Sequence, residues 1–351
     1  MILKHTPEIS FTNEATRSEV MANAYFLRAY CYFTLVRVFG DCPLLTSGFE
    51  SEKQEDMYPS RTAASEVYAQ VETDIEEALR LMPASSKLLH KASPAAINML
   101  RTEYYLWKAK RLGGGNAALS TAQSSVDAVL KAGYTLLPTF ADIFNLNNEA
   151  NSELIWTLPY IVNENVTPGT SPNFFAYYLA PNGDRTRLRE AGYTEDEVPA
   201  GSHAQYVVPT QAYCDFLAED ARDTRTDVSV RVFEDKFLTE EVQIKRMVVK
   251  FKGSFANDTR SFDSDVPVYR LAEAYLLKAE VENALGNTDA ALQNLNVVAK
   301  RAYGVDNYYT ARTQDAIDNA IISEILKEFV AESKAWWAYL RFNKEFELIE
   351  T

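Results

Sequence analysis

The sequence predicts a mainly α-helical protein, an array of helix pairs interrupted by one loop-rich insertion. Apolar residues recur at helical spacing in two long stretches, residues 14–135 and 266–346. Between residues 136 and 265 that periodicity weakens, while Pro, Asn, Gly and Tyr become frequent. Long irregular segments inside compact domains are often functional. We therefore expect a single domain over residues 1–351, with a helical scaffold at 14–135 and 266–346 and the binding region at 136–265.

The first long helix is predicted over residues 14–39. Gly40 suits the left-handed conformation that ends a helix, and Pro43 prevents the helix from resuming. Apolar side chains step by three and four along it, and the spacing predicts one buried stripe. The stripe consists of Val20, Ala24, Leu27, Cys31, Leu35 and Val38.

Three more helices are predicted before the insertion. The second covers residues 61–82 and is closed by Pro83. The third begins at Ser93-Pro94, a capping serine followed by proline in the first turn, and the fourth covers residues 117–131. The residues expected to face the core are Val67, Val71, Ile75, Ala78 and Met82 on the second helix, and Leu100, Tyr104 and Trp107 on the third.

Inside the insertion, residues 155–158 and 247–251 are predicted as short strands. After it, a helix pair is expected between residues 267 and 302, with a turn at Leu285-Gly286-Asn287. Its Ala-x-x-x-Ala spacing resembles a tetratricopeptide repeat unit, in which small residues let paired helices approach closely. A last helix is predicted over residues 314–346.

Composition limits the function. Hydrophobic residues make up 47% and charged residues 24% of the chain, which is typical of a globular protein. The net charge of −14 argues against nucleic acid or an anionic membrane as the main partner. No run of about 20 apolar residues is present to span a bilayer. The three cysteines are too few for a disulfide framework, and Cys31 is expected to be a small core residue.

Four stretches together are similar to the SusD/RagB family of outer-membrane nutrient-binding lipoproteins. They are the opening helix with its Phe-Gly-Asp-x-Pro-Leu stop (39–44), residues 61–83, residues 268–302 with the phrase Arg-Leu-Ala-Glu-Ala-Tyr-Leu-Leu-Lys-Ala-Glu (270–280), and residues 322–341. They occur in the family's order. The chain departs from the family at Ser333, where glycine is usual, and at Ile325 and Ala335, where arginine is usual.

The family resemblance also gives an expectation for the two ends of the chain. Members generally begin with a signal peptide, a lipidated cysteine and further helical sequence, and end with a Pro- and Asn-rich tail. None of these is recognisable in the chain as given, so we expect a fragment or a shortened relative. By this resemblance the protein is located at the cell outer membrane, exposed at the surface, and any membrane attachment is through a lipid anchor absent from this sequence.

No catalytic constellation is found, and the sequence predicts a protein that is not an enzyme. No cofactor is implied, while a structural calcium ion is left open. Asp263 and Asp265 are interpreted as turn residues that cap the helix expected to follow, rather than as an acid/base pair. Asp220 and Arg222 are interpreted as a structural ion pair or cap. The four tryptophans (Trp107, Trp156, Trp336 and Trp337) are expected in the core.

A binding site is better supported. The resemblance implies a shallow surface site in which aromatic rings stack on sugar faces and amides, carboxylates or a guanidinium meet the hydroxyls. Such side chains are frequent after residue 159, and the Tyr177-Tyr178 pair is the sharpest candidate. The predicted ligand-binding residues are Tyr160, Asn173, Phe174, Tyr177, Tyr178, Asn182, Asp184, Arg185 and Tyr206. The alternative is that these aromatic rings only pack the loops onto the helices.

The resemblance therefore implies capture of oligosaccharide or polysaccharide without bond breaking, and its delivery to a SusC-like TonB-dependent transporter. Two alternatives remain. One is a member of the same family that binds peptides, and the other is a helical-repeat scaffold that binds only protein.

Overall fold

The computed structural model describes residues 1–51, 58–161, 208–235, 243–251, 253–256, 259–261 and 263–346. The chain forms two compact units, residues Met1–Tyr134 and Thr135–Thr351. The described part is mainly helical with a few short strands, which confirms the predicted fold class. Within it, no helix combines the length and the apolar character that crossing a membrane requires.

The first unit consists of antiparallel helix pairs. Its helices are α1 (Ile2–His5), α2 (Glu14–Phe39), α3 (Ala64–Leu81), α4 (Pro94–Arg111) and α5 (Gly115–Leu130). α2 packs on α3 and α4 packs on α5. Ser93 caps α4 as predicted, since its hydroxyl accepts a hydrogen bond from the Ala96 amide at 3.2 Å. All the residues predicted to face the core from the second and third helices are buried.

The predicted stripe on α2 is wrong. The buried face consists of Ala22, Phe26, Ala29, Phe33 and Val36. Leu27, Leu35 and Val38 lie on the opposite face, with 49%, 39% and 55% of their surface exposed, and Cys31 is exposed as well. This helix therefore has two apolar stripes. The stripe that contains the large rings of Phe26 and Phe33 is the buried one, and the ring of Phe33 packs edge-on against that of Tyr104, with centroids 5.6 Å apart.

The described part of the second unit contains three pairs of short strands, and the first strand is β1 (Leu154–Leu158). The structure contains β2 (Val230–Asp235), β3 (Gln243–Val248), β4 (Ser254–Ala256), β5 (Thr259–Ser261) and β6 (Val266–Arg270). β1 pairs with β6, β2 with β3 and β4 with β5, all antiparallel. The strand at 155–158 is confirmed. The second predicted strand begins earlier, at Gln243, and ends at Val248.

Among the described residues, two short helices of the second unit lie between β1 and β2 in the chain, and four more come after β6. They are α6 (Gln211–Leu217), α7 (Thr226–Ser229), α8 (Leu271–Ala284), α9 (Thr288–Tyr303), α10 (Gln314–Glu328) and α11 (Ala335–Arg341). α8, α9 and α10 share one apolar core that includes Leu276, Leu295 and Ile321. The predicted helix pair is present, but residues 266–270 form strand β6 rather than the start of its first helix.

The last predicted helix is split into two. α10 ends at Glu328, and α11 begins at Ala335. Ala331 and Ser333 between them have φ angles of +63° and +59°, which an α-helix cannot contain. Trp336 of α11 is 45% exposed, so its prediction as a core residue was wrong, whereas Trp107 and Trp156 are buried.

Ser333 stands where the SusD/RagB pattern has glycine, and its φ angle explains why glycine is favoured there. A left-handed conformation costs a residue with a Cβ about 1–2 kcal/mol, partly offset by the larger chain entropy that glycine loses. We expect Ser333→Gly to raise the free energy of unfolding by about 0.5–1 kcal/mol. Ala69→Gly, at an exposed position inside α3, should lower it by about 1 kcal/mol. Urea unfolding measures both changes, and a destabilised Ser333→Gly would contradict this reason.

Candidate functional site

The second unit contains an open cleft of about 880 Å³. Several separate chain segments form it: the turns after residue 140, the end of β1, helix α7, the end of β3 and the residues around β4. Its described lining residues are Ala141, Asp142, Phe144, Asn145, Leu146, Asn147, Glu149, Tyr160, Ile161, Asp227, Val228, Val249, Lys250, Gly253, Ser254 and Asp263. A volume of this size is typical of a ligand pocket.

One side of the cleft is formed by a segment of 3₁₀ turns, Ala141–Phe144 and Leu146–Asn148. Asparagines hold it in shape. The Asn145 side chain accepts a hydrogen bond from the Asn147 amide at 3.0 Å, and the Asn151 side chain donates to the Asn148 carbonyl at 2.9 Å. Such side-chain bonds let short turns replace a longer helix. The Asn147 side chain is exposed at the cleft and forms no bond with another described residue.

Tyr160 lies just after β1 and lines the cleft. Its amide donates to Asp265 Oδ1 at 3.0 Å, and the Thr157 hydroxyl donates to the other oxygen of that carboxylate at 3.2 Å. The Asp265 amide in turn donates to Glu149 at 3.0 Å. Asp265 therefore fixes the backbone that presents the Tyr160 ring, while the ring itself is half-buried and open to the cleft.

Phe144 supplies the second aromatic ring. It meets Phe140 and Phe251 edge-on, with ring centroids 5.2 and 5.5 Å away. The ammonium of Lys250 lies 4.5 Å from the centre of its ring. Because neighbours hold Phe144 on several sides, its ring is a fixed apolar surface in the cleft wall.

Lys250 connects the cleft to a buried charge network beneath it. Its side chain is fully buried, and its ammonium donates to Glu332 at 2.5 Å and to the carbonyls of Glu328 and Val330 at 2.9 and 3.3 Å. The network consists of the anions Glu153, Asp223, Glu324, Glu328 and Glu332 and the cations Arg225, Lys250, Arg270 and Arg301. The Tyr303 hydroxyl joins Lys327 to it.

Arg270 lies at the centre of this network. Its guanidinium donates to Glu332 at 2.8 and 3.0 Å, to the Glu328 carboxylate at 2.5 Å and to Glu153 at 3.2 Å. Arg301 also contacts Glu153, at 2.8 and 2.9 Å, and Glu328. The network therefore ties β6, α9 and α10 to the chain segment that enters β1.

The network shifts the pKa values of its members. Burial alone would raise the pKa of Glu328, but Arg301, Arg270 and Arg225 together hold it well below its ordinary value. The pKa of Glu332 is likewise lowered, since Arg270 and Lys250 outweigh burial. Burial lowers the pKa of Lys250 to about 8, although Glu332 opposes this shift. Both carboxylates are thus charged partners at neutral pH, with a structural role.

Of the predicted ligand-binding residues, the structure places Tyr160 in the cleft. Asn173, Phe174, Tyr177, Tyr178, Asn182, Asp184, Arg185 and Tyr206 lie outside the described residues. Phe144, Asn147 and Asp227 were not predicted. The Asn-rich run at 145–151 is the sequence signal for the turns that carry Asn147, because asparagine side chains stabilise such turns.

The roles predicted for two residue pairs, Asp263 with Asp265 and Asp220 with Arg222, can be compared with the structure. Asp263 and Asp265 precede strand β6, so their prediction as helix caps was wrong. Asp263 instead accepts bonds from the amide and hydroxyl of Ser254, at 2.6 and 2.7 Å. Asp220 and Arg222 form the predicted ion pair at 2.6 Å. Among the described residues, no group of three His, Cys, Asp or Glu side chains is arranged to hold a metal ion.

Comparison with known proteins agrees with this architecture. The SusD-like family described as "Starch-binding associating with outer membrane" matches residues 3–105, and the SusD family matches residues 235–350. A SusD-like protein of Formosa agariphila is 24% identical over 368 residues, covering 96% of this chain and 64% of that protein. The chain thus spans less than two thirds of the length of this curated relative.

Solved structures show the same fold. NanU of B. fragilis is 25% identical with a TM-score of 0.80, over 97% of this chain and 73% of NanU. Surface glycan-binding protein A from Bacteroides thetaiotaomicron, solved in complex with laminarihexaose, is 18% identical with a TM-score of 0.71, over 97% of this chain and 73% of that one. The protein is a helical-repeat protein with a cleft beside its strands. It belongs to the SusD/RagB family, as the sequence motifs predicted.

Proposed function

We propose that this protein binds oligosaccharides in the cleft of its second unit, without cleaving them. The observation that carries the proposal is the combination of two rings, Tyr160 and Phe144, with short amides and carboxylates in one open cleft. A sugar presents apolar C–H faces and a belt of hydroxyls, and such a lining matches both. The laminarihexaose-bound relative supports the same class of ligand.

We further propose that the captured glycan passes to a SusC-like TonB-dependent transporter at the outer membrane. The exposed stripe on α2, formed by Leu27, Cys31, Leu35, Val38 and Phe39, supports a protein partner, since contiguous exposed apolar surface is typical of contact sites. The family description, which mentions association with the outer membrane, supports the location. Attachment by a lipid anchor belongs to the same proposal.

Affinity gel electrophoresis tests glycan binding. The purified chain is run through gels that contain neutral or acidic polysaccharides, and, as an alternative ligand class, it is titrated with a peptide library. We expect retardation by at least one polysaccharide and no saturable binding of peptides. A cooperatively folded protein that no polysaccharide retards would contradict the proposal, and saturable peptide binding would support the peptide-binding alternative.

A further inference from the structure

The charge of the described cleft lining is strongly one-sided. Four carboxylates from three separate chain segments line it: Asp142 and Glu149 from the turns after residue 140, Asp227 from α7, and Asp263 from the chain before β6. Asp142 accepts a bond from the Thr139 hydroxyl, and the exposed Asp227 has no hydrogen-bond or ion-pair partner among the described residues. Aspartate and glutamate are negatively charged at neutral pH.

One cation belongs to the described lining, and a ligand cannot use it. The Lys250 side chain is fully buried, and its ammonium is engaged by Glu332 and by two backbone carbonyls. Glu332 therefore neutralises its charge in the network below the cleft. In the described part of the lining, no arginine or free ammonium faces a ligand.

We propose that the cleft selects its glycan by charge: it accepts neutral oligosaccharides, favours those that carry protonated amines and rejects those that carry carboxylates or sulfates. This inference rests on the proposed function. The carboxylate or sulfate of an acidic sugar would lose its hydrating water on binding and would lie beside several negative charges. No cation in the described lining offsets the cost of that desolvation and repulsion. A protonated amine would instead form charge-assisted hydrogen bonds with Asp227 or Asp142.

Matched glycan pairs separate charge from linkage. The first pair is an oligogalacturonate and its carboxyl-reduced, neutral counterpart. The second pair is an N-acetylglucosamine hexamer and its deacetylated, cationic counterpart. Calorimetric titration at low and high salt gives the affinities, and the wild type is compared with Asp142→Asn/Asp227→Asn, which removes two charges with little change in shape.

In the wild type we expect the carboxyl-reduced oligomer to bind at least about tenfold more tightly than the acidic one, and the deacetylated hexamer to bind more tightly than the acetylated one at low salt. Asp142→Asn/Asp227→Asn should narrow both ratios at least about threefold and flatten their salt dependence. A matched control, Asp289→Asn/Asp306→Asn, removes two exposed carboxylates that do not line the cleft and should leave the ratios unchanged.

The outcomes separate the charge selection from glycan binding itself. If the wild type binds acidic and neutral partners equally, or if the cleft and control variants behave alike, the charge selection is wrong while glycan binding stands. If no member of either pair binds, and no polysaccharide retards the protein, both the selection and the proposed function are wrong.

Discussion

Replacing Arg270 with methionine is expected to destabilise the protein by about 3–5 kcal/mol, the range measured when one partner of a buried ion pair is removed. Arg270 is about 1% exposed and contacts Glu153, Glu328 and Glu332. Methionine fills much of the volume but leaves these carboxylates with less compensation. Since a domain's total stability is about 5–15 kcal/mol, this one change should remove much of it.

A matched substitution at the surface provides the control. Arg312 also pairs with a carboxylate, that of Asp289, but the two side chains are 61% and 86% exposed. Arg312→Met should therefore stay within about 1 kcal/mol of the wild type. Denaturant unfolding measures both variants. Similar small losses for Arg270→Met and Arg312→Met would show that the network does not stabilise the fold as described.

Acid should unfold the protein through the same network. The pKa values of Glu328 and Glu332 are lowered in the folded state, so their contribution to stability is complete above about 4.5, the ordinary value for glutamate, and is lost as the pH falls below it. Each unit of lowering corresponds to about 1.4 kcal/mol. We therefore expect the free energy of unfolding to fall steeply between pH 4.5 and pH 3.

Glu328→Gln isolates this effect. At pH 7 the variant should be several kcal/mol less stable than the wild type, because the arginines around residue 328 lose a charged partner. Glutamine does not titrate, so the difference between the two proteins should shrink as the pH falls toward 3. Unfolding curves at a series of pH values show this directly, and a difference that stays constant with pH would contradict the assignment.

Much of the helical fold could be predicted from the sequence, because local signals fix it. The Ser93-Pro94 start, the Gly40 stop and the single apolar face on α3 are each decided within a few residues. α2 was different because its sequence carries two apolar stripes, and only tertiary packing of Phe26 and Phe33 selects one of them. The break between α10 and α11 was also missed, since neither Ala331 nor Ser333 is a usual residue for a positive φ.

The sequence stretches that resemble the family contain charged residues that are buried together in the fold, which their hydrophobic periodicity does not reveal. Arg270, Arg301, Glu328 and Glu332 all lie in the stretches that carried the resemblance, and ion pairs join all four in the charge network. Glu280 and Arg341 form a second buried pair, at 2.9 Å, between two of the same stretches. Which charges are buried depends on contacts between distant segments, so the sequence indicates the motif but not its partners.

The candidate site was the least predictable part. Composition pointed to the loop-rich region, and Tyr160 does line the cleft there. Phe144 and Asn147 come instead from short 3₁₀ turns and Asp227 from the four-residue helix α7, and such short elements have weak local signals. The cleft exists because β1, β6 and the turns after residue 140 are tied together by Asp265 and Glu149. Such long-range contacts leave no periodic pattern in the chain.

The most direct test of glycan capture is the affinity of a cleft variant for the polysaccharide that retards the wild type most, measured by calorimetry. Tyr160→Ala/Asn147→Ala removes a ring and an amide that have no other described side-chain partner. The control, Tyr58→Ala/Asn116→Ala, makes the same changes at exposed positions in the first unit. We predict at least tenfold weaker binding for the cleft variant, with both variants melting like the wild type and the control binding within twofold of it. A cleft variant that binds as tightly as the wild type would show that the sugar site is not this cleft.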